Sequence, residues 1–179
     1  MRLFLALPLP QDILDYLVTI KKDLGNRDAK INWVAKKNMH LTLKFFGNIT
    51  SAHIPALQKA LHTIRSSAFN VTLSQFGVFP SIDNPRVLWV GLIPEEPLFT
   101  LQSLIDQETL SFGKQEHTFS AHITLGRIKS FKQKKLFLEK FQALSLQHKT
   151  ISFDHFFLYQ STLRSSGPSY KVLEEYTLS

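Results

Sequence analysis

The order of apolar runs, prolines and glycines in the first half of the chain recurs in the second. Residues 2–9 are almost continuously apolar, as a strand buried on both faces requires. Pro10 opens a helix at its first position, where a missing N–H costs nothing. Ile13, Leu14, Leu17, Val18 and Ile20 form its apolar stripe, and Gly25-Asn26 end it. Ile31 to Ala35 and His40 to Phe46 read as strands, the second closed by Gly47-Asn48. Residues 51–66 read as a helix with Ile54, Leu57, Leu61 and Ile64 inward, and 69–79 as a strand. Then the pattern restarts. Arg86 to Ile93 is a strand, and Pro94 opens a helical stretch carrying Leu98, Leu101, Ile105 and Leu110 up to Gly113. A strand runs from Phe119 to Ile128, a helix over 131–144, and a strand over 150–159. The turn signal Ser165-Ser166-Gly167-Pro168 precedes a last strand near 169–178.

The intervals agree as well as the order. Arg2 to His40 spans 38 residues and Arg86 to His122 spans 36; His40 to Phe69 spans 29 and His122 to Thr150 spans 28. A unit this long, present twice, predicts two similar α+β lobes related by a pseudo-twofold. The expected organisation is one domain over 1–179, with pseudo-repeats about 1–84 and 85–179 meeting near Asp83-Asn84-Pro85. The 179 residues suffice for a real core.

Composition removes several kinds of chemistry. The absence of cysteine excludes disulfides, thiolate metal sites and a cysteine nucleophile. No apolar run approaches the roughly 18 residues of a membrane helix. Leu3-Phe4-Leu5-Ala6-Leu7 imitates a signal peptide, but Pro8 and Pro10 cut it short and no small-residue cleavage site follows. A cytoplasmic monomer is the expectation. The net charge of +7 favours an anionic partner such as nucleic acid.

At equivalent points of the two halves stand His40-Leu41-Thr42-Leu43 and His122-Ile123-Thr124-Leu125. Strand side chains alternate, so each strand presents an imidazole and a hydroxyl on one face and apolar residues on the other. Two facing lobes would bring both pairs into one cleft. Histidine changes protonation near neutral pH, so one copy can act as base and the other as acid. Opening a cyclic phosphodiester needs that arrangement: one imidazole takes a proton from water and the other gives one to the departing ribose oxygen. Thr42 and Thr124 would hold phosphate oxygens as charge shifts. No metal or other cofactor is required.

Two such motifs in two pseudo-equivalent halves resemble the 2H phosphoesterase superfamily. The flanks are similar to its bacterial branch of RNA 2′,3′-cyclic phosphodiesterases, the LigT-like 2′-5′ RNA ligases. The matching residues are Arg2-Leu3-Phe4-Leu5-Ala6, Asn38-Met39-His40 through Gly47, Arg86-Val87-Leu88-Trp89-Val90-Gly91, His122-Ile123-Thr124-Leu125-Gly126-Arg127 and Gly167-Pro168-Ser169-Tyr170. The resemblance implies antiparallel sheets lining a central groove with helices outside. It implies hydrolysis of RNA 2′,3′-cyclic phosphate to a 2′-phosphate end, with cyclic-ended RNA, tRNA fragments or small cyclic nucleotides as partners. It also implies that His40 donates to the leaving oxygen and His122 accepts from water; the sequence alone gives no polarity. Ala121 stands where the family usually has Pro, and Asn32 where relatives often have Arg.

The resemblance makes Arg127 a phosphate ligand. It lies five residues after His122, an odd interval that puts it on the opposite face of an ideal strand unless the strand twists or ends first. Phe45, its counterpart, either packs in the core or stacks a base. Lys129, Lys132, Lys134, Lys135 and Lys140 form a basic stretch on or before a helix, and Tyr170 is expected to pin the last strand. His53 with His62, and His148 with His155, fall on opposite sides of their elements, and His117 in a loop, so no metal centre is expected. Two further readings remain open: ligation, in which the same groups join a 2′,3′-cyclic end to a 5′-hydroxyl, and a non-catalytic RNA-binding module that keeps the cleft.

Overall fold

The structure is a computed structural model and describes residues 1–113, 118–165 and 167–179. His117 and Ser166 therefore lie outside the described residues. The strands are β1 (Arg2–Pro8), β2 (Ala29–Trp33), β3 (His40–Asn48), β4 (Phe69–Phe79), β5 (Val87–Ile93), β6 (His122–Phe131), β7 (Thr150–Phe153), β8 (His155–Arg164) and β9 (Gly167–Thr177). The helices are α1 (Gln11–Leu24), α2 (Ile54–Leu61), α3 (Glu96–Glu108) and α4 (Lys134–Gln142). None of them is long and apolar enough to cross a membrane.

The fold is α+β and bilobal, with every strand pairing antiparallel. One lobe has the order β3-β1-β8-β9, the other β7-β4-β5-β6, with β2 also on β6. The two sheets join where Leu41 pairs with Ile123. These are equivalent positions of the two motifs, so the pseudo-twofold passes through that pair.

Each lobe mixes the two halves of the chain. The last strand of the first half, β4, pairs with β5 of the second; its counterpart β8 pairs with β1 of the first. The helices follow the same exchange, α1 packing on α4 and α2 on α3. The expected strand over 150–159 is consequently two strands. It breaks at Asp154, where the chain leaves β4 in one lobe and joins β1 in the other. The Asp154 carbonyl there accepts the Leu178 N–H at 2.7 Å.

The sheet face opposite the groove carries the core. Leu3, Leu5 and Leu7 of β1 are fully buried with Ile13, Leu17, Ile20 and Leu24 of α1. Pro10 sits at the N-cap, one position before the first helical residue Gln11 and so one position outside the place expected for it. The expected 51–66 helix is shorter, 54–61, with Pro55 in its first turn and a tighter turn over Ser51–His53 before it. Ile54, Leu57, Leu61 and Ile64 are nevertheless all buried, as their spacing requires.

Candidate active site

β3 and β6 position both motifs, and their burial is the same residue for residue. Over the first seven positions of each strand the pattern is half-buried, buried, half-buried, buried, buried, exposed, buried. Two successive buried residues break the alternation, and the strand registers show why. Leu5 pairs with Lys44 but Ala6 with Thr42, which leaves Leu43 as an extra residue. Leu88 pairs with Gly126 but Trp89 with Thr124, which leaves Leu125 as one. Each is a β-bulge, and a bulge reverses which face the following residues meet. The odd interval to Arg127 is thereby resolved: Arg127 returns to the face of His122 and Thr124. Phe45 returns likewise to that of His40 and Thr42. Phe45 is 61% exposed and is not a core residue.

The residues after the bulges are specialised. Lys44 is buried and paired with Asp106 of α3 at 2.6 Å. Its equivalent, Gly126, lies under β2, where a methyl group would come within 2.8 Å of both Ile31 and Trp33. Only glycine lets β2 approach there. β2 in turn sets Asn32 directly opposite Arg127.

Both imidazoles are held alike. His40 Nδ1 lies 2.8 Å from the carbonyl of Asn38, and His122 Nδ1 2.8 Å from that of Ser120. A carbonyl can only accept, so in each ring Nδ1 carries the proton and Nε2 is left for chemistry. His40 Nε2 lies 3.0 Å from the Thr42 hydroxyl. Asn38, buried, also donates from its side chain to the Pro168 carbonyl at 2.8 Å. The start of β9 is thus tied to the approach of β3.

The surroundings differ. His40 packs among aromatic rings: Phe4 at 5.0 Å, Tyr170 edge-on at 5.5 Å and Tyr159 at 6.3 Å between centroids. Burial there pushes its pKa down from 6.5 to about 4; the Asn38 carbonyl opposes this and the charge of His122 adds to it. The two imidazoles are therefore close enough to act on each other. His122 meets Phe79 at 5.0 Å and Trp89 at 6.3 Å. Its pKa is also lowered, by burial first, with the Ser120 carbonyl opposing and Arg127 adding to the effect. The charges of Arg127 and Arg2 also reach the hydroxyl of Tyr170, whose pKa burial raises.

His40, Thr42, Phe45, His122, Thr124 and Arg127 are thus on one continuous face. Phe4, Tyr159, Trp89 and Phe79 escaped the sequence reading, although Phe4 and Trp89 stood in its matching segments. Their signal lay in the strand registers, which set Phe4 between Phe45 and Tyr159, and Trp89 opposite Thr124. Tyr170, the fourth residue of β9, meets the His40 ring edge-on. The other described histidines lie elsewhere: His53 bonds Thr50, His62 Glu174, His148 the Leu73 carbonyl, and His155 Asp154. Among the described residues no three of His, Asp and Glu are grouped as a metal site would need.

Paired His-x-Thr strands joined on a pseudo-twofold define the class of 2H phosphoesterases. The description "LigT like Phosphoesterase" matches residues 7–89 and again 90–170, and the chain belongs to that family. An RNA 2′,3′-cyclic phosphodiesterase of Thermotoga maritima is 32% identical over 98% of this chain and 94% of its own length. One from Aquifex aeolicus is 33% identical over 99% and 97%. A crystal structure of Escherichia coli LigT complexed with 3′-AMP is 25% identical, covers 99% of this chain and 97% of its own, and has a TM-score of 0.79.

Proposed function

We propose that this chain hydrolyses 2′,3′-cyclic phosphate ends of RNA to 2′-phosphomonoesters by paired histidine acid–base catalysis. One observation carries the reading: both rings are locked in the same tautomer, and both Nε2 atoms are left for proton transfer on the face they share. The names of the relatives support the substrate class.

In the reaction, His122 Nε2 takes a proton from water as its oxygen attacks phosphorus. The bond from phosphorus to O3′ breaks, and His40 Nε2 delivers a proton to that oxygen. Free His40 holds its proton weakly at neutral pH because it is buried. The anionic cyclic phosphate offsets this, since a nearby negative charge favours the imidazolium. Thr42, Thr124 and Arg127 hold the non-bridging oxygens as charge moves between them. Phe45 stacks the terminal base. No step uses a metal ion. With a 5′-hydroxyl attacking phosphorus in place of water, and O3′ again departing with the proton from His40, the same transfers join two RNA ends by a 2′-5′ bond.

The test is turnover of a nucleoside 2′,3′-cyclic phosphate in excess chelator. The wild type should give the 2′-phosphate, and His40→Ala and His122→Ala should each lose at least 100-fold in kcat, roughly the low end of acid–base contributions. Near wild-type turnover in either variant would refute the paired mechanism. Tight binding without turnover would leave a binding module.

A further inference from the structure

The residues beyond Arg127 have no part in the chemistry above. On β6 the burial pattern continues exposed, buried, exposed, exposed from Arg127 to Ser130. A second register shift falls here: Ile31 pairs with Ile128 but Lys30 with Ser130, so Lys129 is the extra residue. Lys129 is exposed on the same side as Arg127, beside exposed Lys30 of β2. Neither strand contains a carboxylate, and among the described residues no ion pair forms to Lys30, Arg127 or Lys129. Two other lysines of the expected basic stretch behave differently. Lys140 is paired with buried Asp28 at 2.5 Å, and Lys134 donates to the Asp83 carbonyl at 2.5 Å.

We infer that Lys129 and Lys30 continue the site as a cationic track that holds the sugar–phosphate backbone of the RNA beyond its terminal nucleotide. The argument is charge complementarity and continuity. The track starts at the guanidinium beside His122 and follows the strand outward. A two-residue step along it is about 6.6 Å, short enough for phosphates of one strand to meet successive cations. Exposed, unpaired cations give up little when a phosphate arrives, and counterion release favours the exchange. The inference rests on the phosphodiesterase reading.

The experiment compares two substrates, a nucleoside 2′,3′-cyclic phosphate and an oligoribonucleotide of about eight residues ending in the same group, with wild type and the double variant Lys30→Gln, Lys129→Gln. The variant should process the mononucleotide like the wild type, which also shows that it is folded. For the oligonucleotide its KM should rise on the order of tenfold at low salt. The slope of log KM against log salt should flatten by about 1.4, or about 0.7 for each of two phosphates on a single strand. Unchanged oligonucleotide KM and slope, with both substrates turned over, would overturn the track alone. Failure of the wild type to turn over either substrate would overturn the phosphodiesterase reading and the track with it.

Discussion

Replacing His40 by asparagine should make the protein more resistant to acid than the wild type. Burial among Phe4, Tyr159 and Tyr170 lowers the His40 pKa to about 4, against an ordinary value of 6.5. The unfolded chain therefore binds a proton that the folded chain refuses. The sign follows: His40 costs the fold nothing above pH 6.5, and stability is lost as pH falls from there towards 4. By linkage the loss is about 2 kcal/mol at about pH 5 and about 3 kcal/mol at about pH 4. Asparagine does not titrate, and its amide can still donate to the Asn38 carbonyl. Urea unfolding of both proteins at about pH 8 and about pH 5 isolates the effect, because the other titrating groups are common to both. The gap between variant and wild type should move by about 2 kcal/mol in favour of the variant at the lower pH. If the two lose stability in parallel, His40 is not desolvated as its packing requires.

The free-protein values of both histidines are lowered, so kcat/KM, which reports the free protein, should peak on the acid side of neutrality. The kcat profile should peak higher, because the bound phosphate raises both values; coincident profiles would contradict this. Gly126→Ala should destabilise by about 1–3 kcal/mol through its clash with Ile31 and Trp33, and a change in urea midpoint worth under about 0.5 kcal/mol would contradict the packing. Gly77→Val should cost activity as well as stability, because even a methyl there would lie 2.1 Å from the Trp89 ring, which lies beside His122. Phe45→Ala should leave stability within about 0.5 kcal/mol yet weaken nucleotide binding on the order of tenfold, since stacking contributes about 1–3 kcal/mol per base. Equal loss in both assays would return Phe45 to a packing role.

The sequence resolved the repeat and both motifs because each depends on local alternation. Leu41 and Ile123 had to be buried once His40, Thr42, His122 and Thr124 shared a face. Two features were not legible, for one physical reason: register is a property of strand pairs. The bulges at Leu43 and Leu125 appear only when β1 and β5 are laid alongside, so the faces of Phe45 and Arg127 could not be read from spacing. The exchange of β4 and β8 between lobes is likewise invisible in chain order. The break at Asp154 is its consequence, and neither Gly nor Pro marks it.

The pseudo-twofold through Leu41 and Ile123 explains both the geometry and its weakness. A true twofold would make the imidazoles identical, and identical groups cannot be committed separately as acid and base. The chain breaks the symmetry with side chains at equivalent positions and leaves the backbone matched. Phe45 stands where Arg127 stands, so one end of the face is aromatic and the other cationic. Lys44 stands where Gly126 stands, which admits β2 to one lobe only. Volume is kept while this happens: Phe157 lies opposite Ala6, whereas Trp89 lies opposite Gly77. Large and small have changed strands, so each lobe retains one bulky ring across the pair. Packing density is thereby preserved, as a close-packed interior demands, while each histidine acquires its own environment. The repeat presents two superimposable imidazoles, and paired differences on neighbouring strands give each its own surroundings.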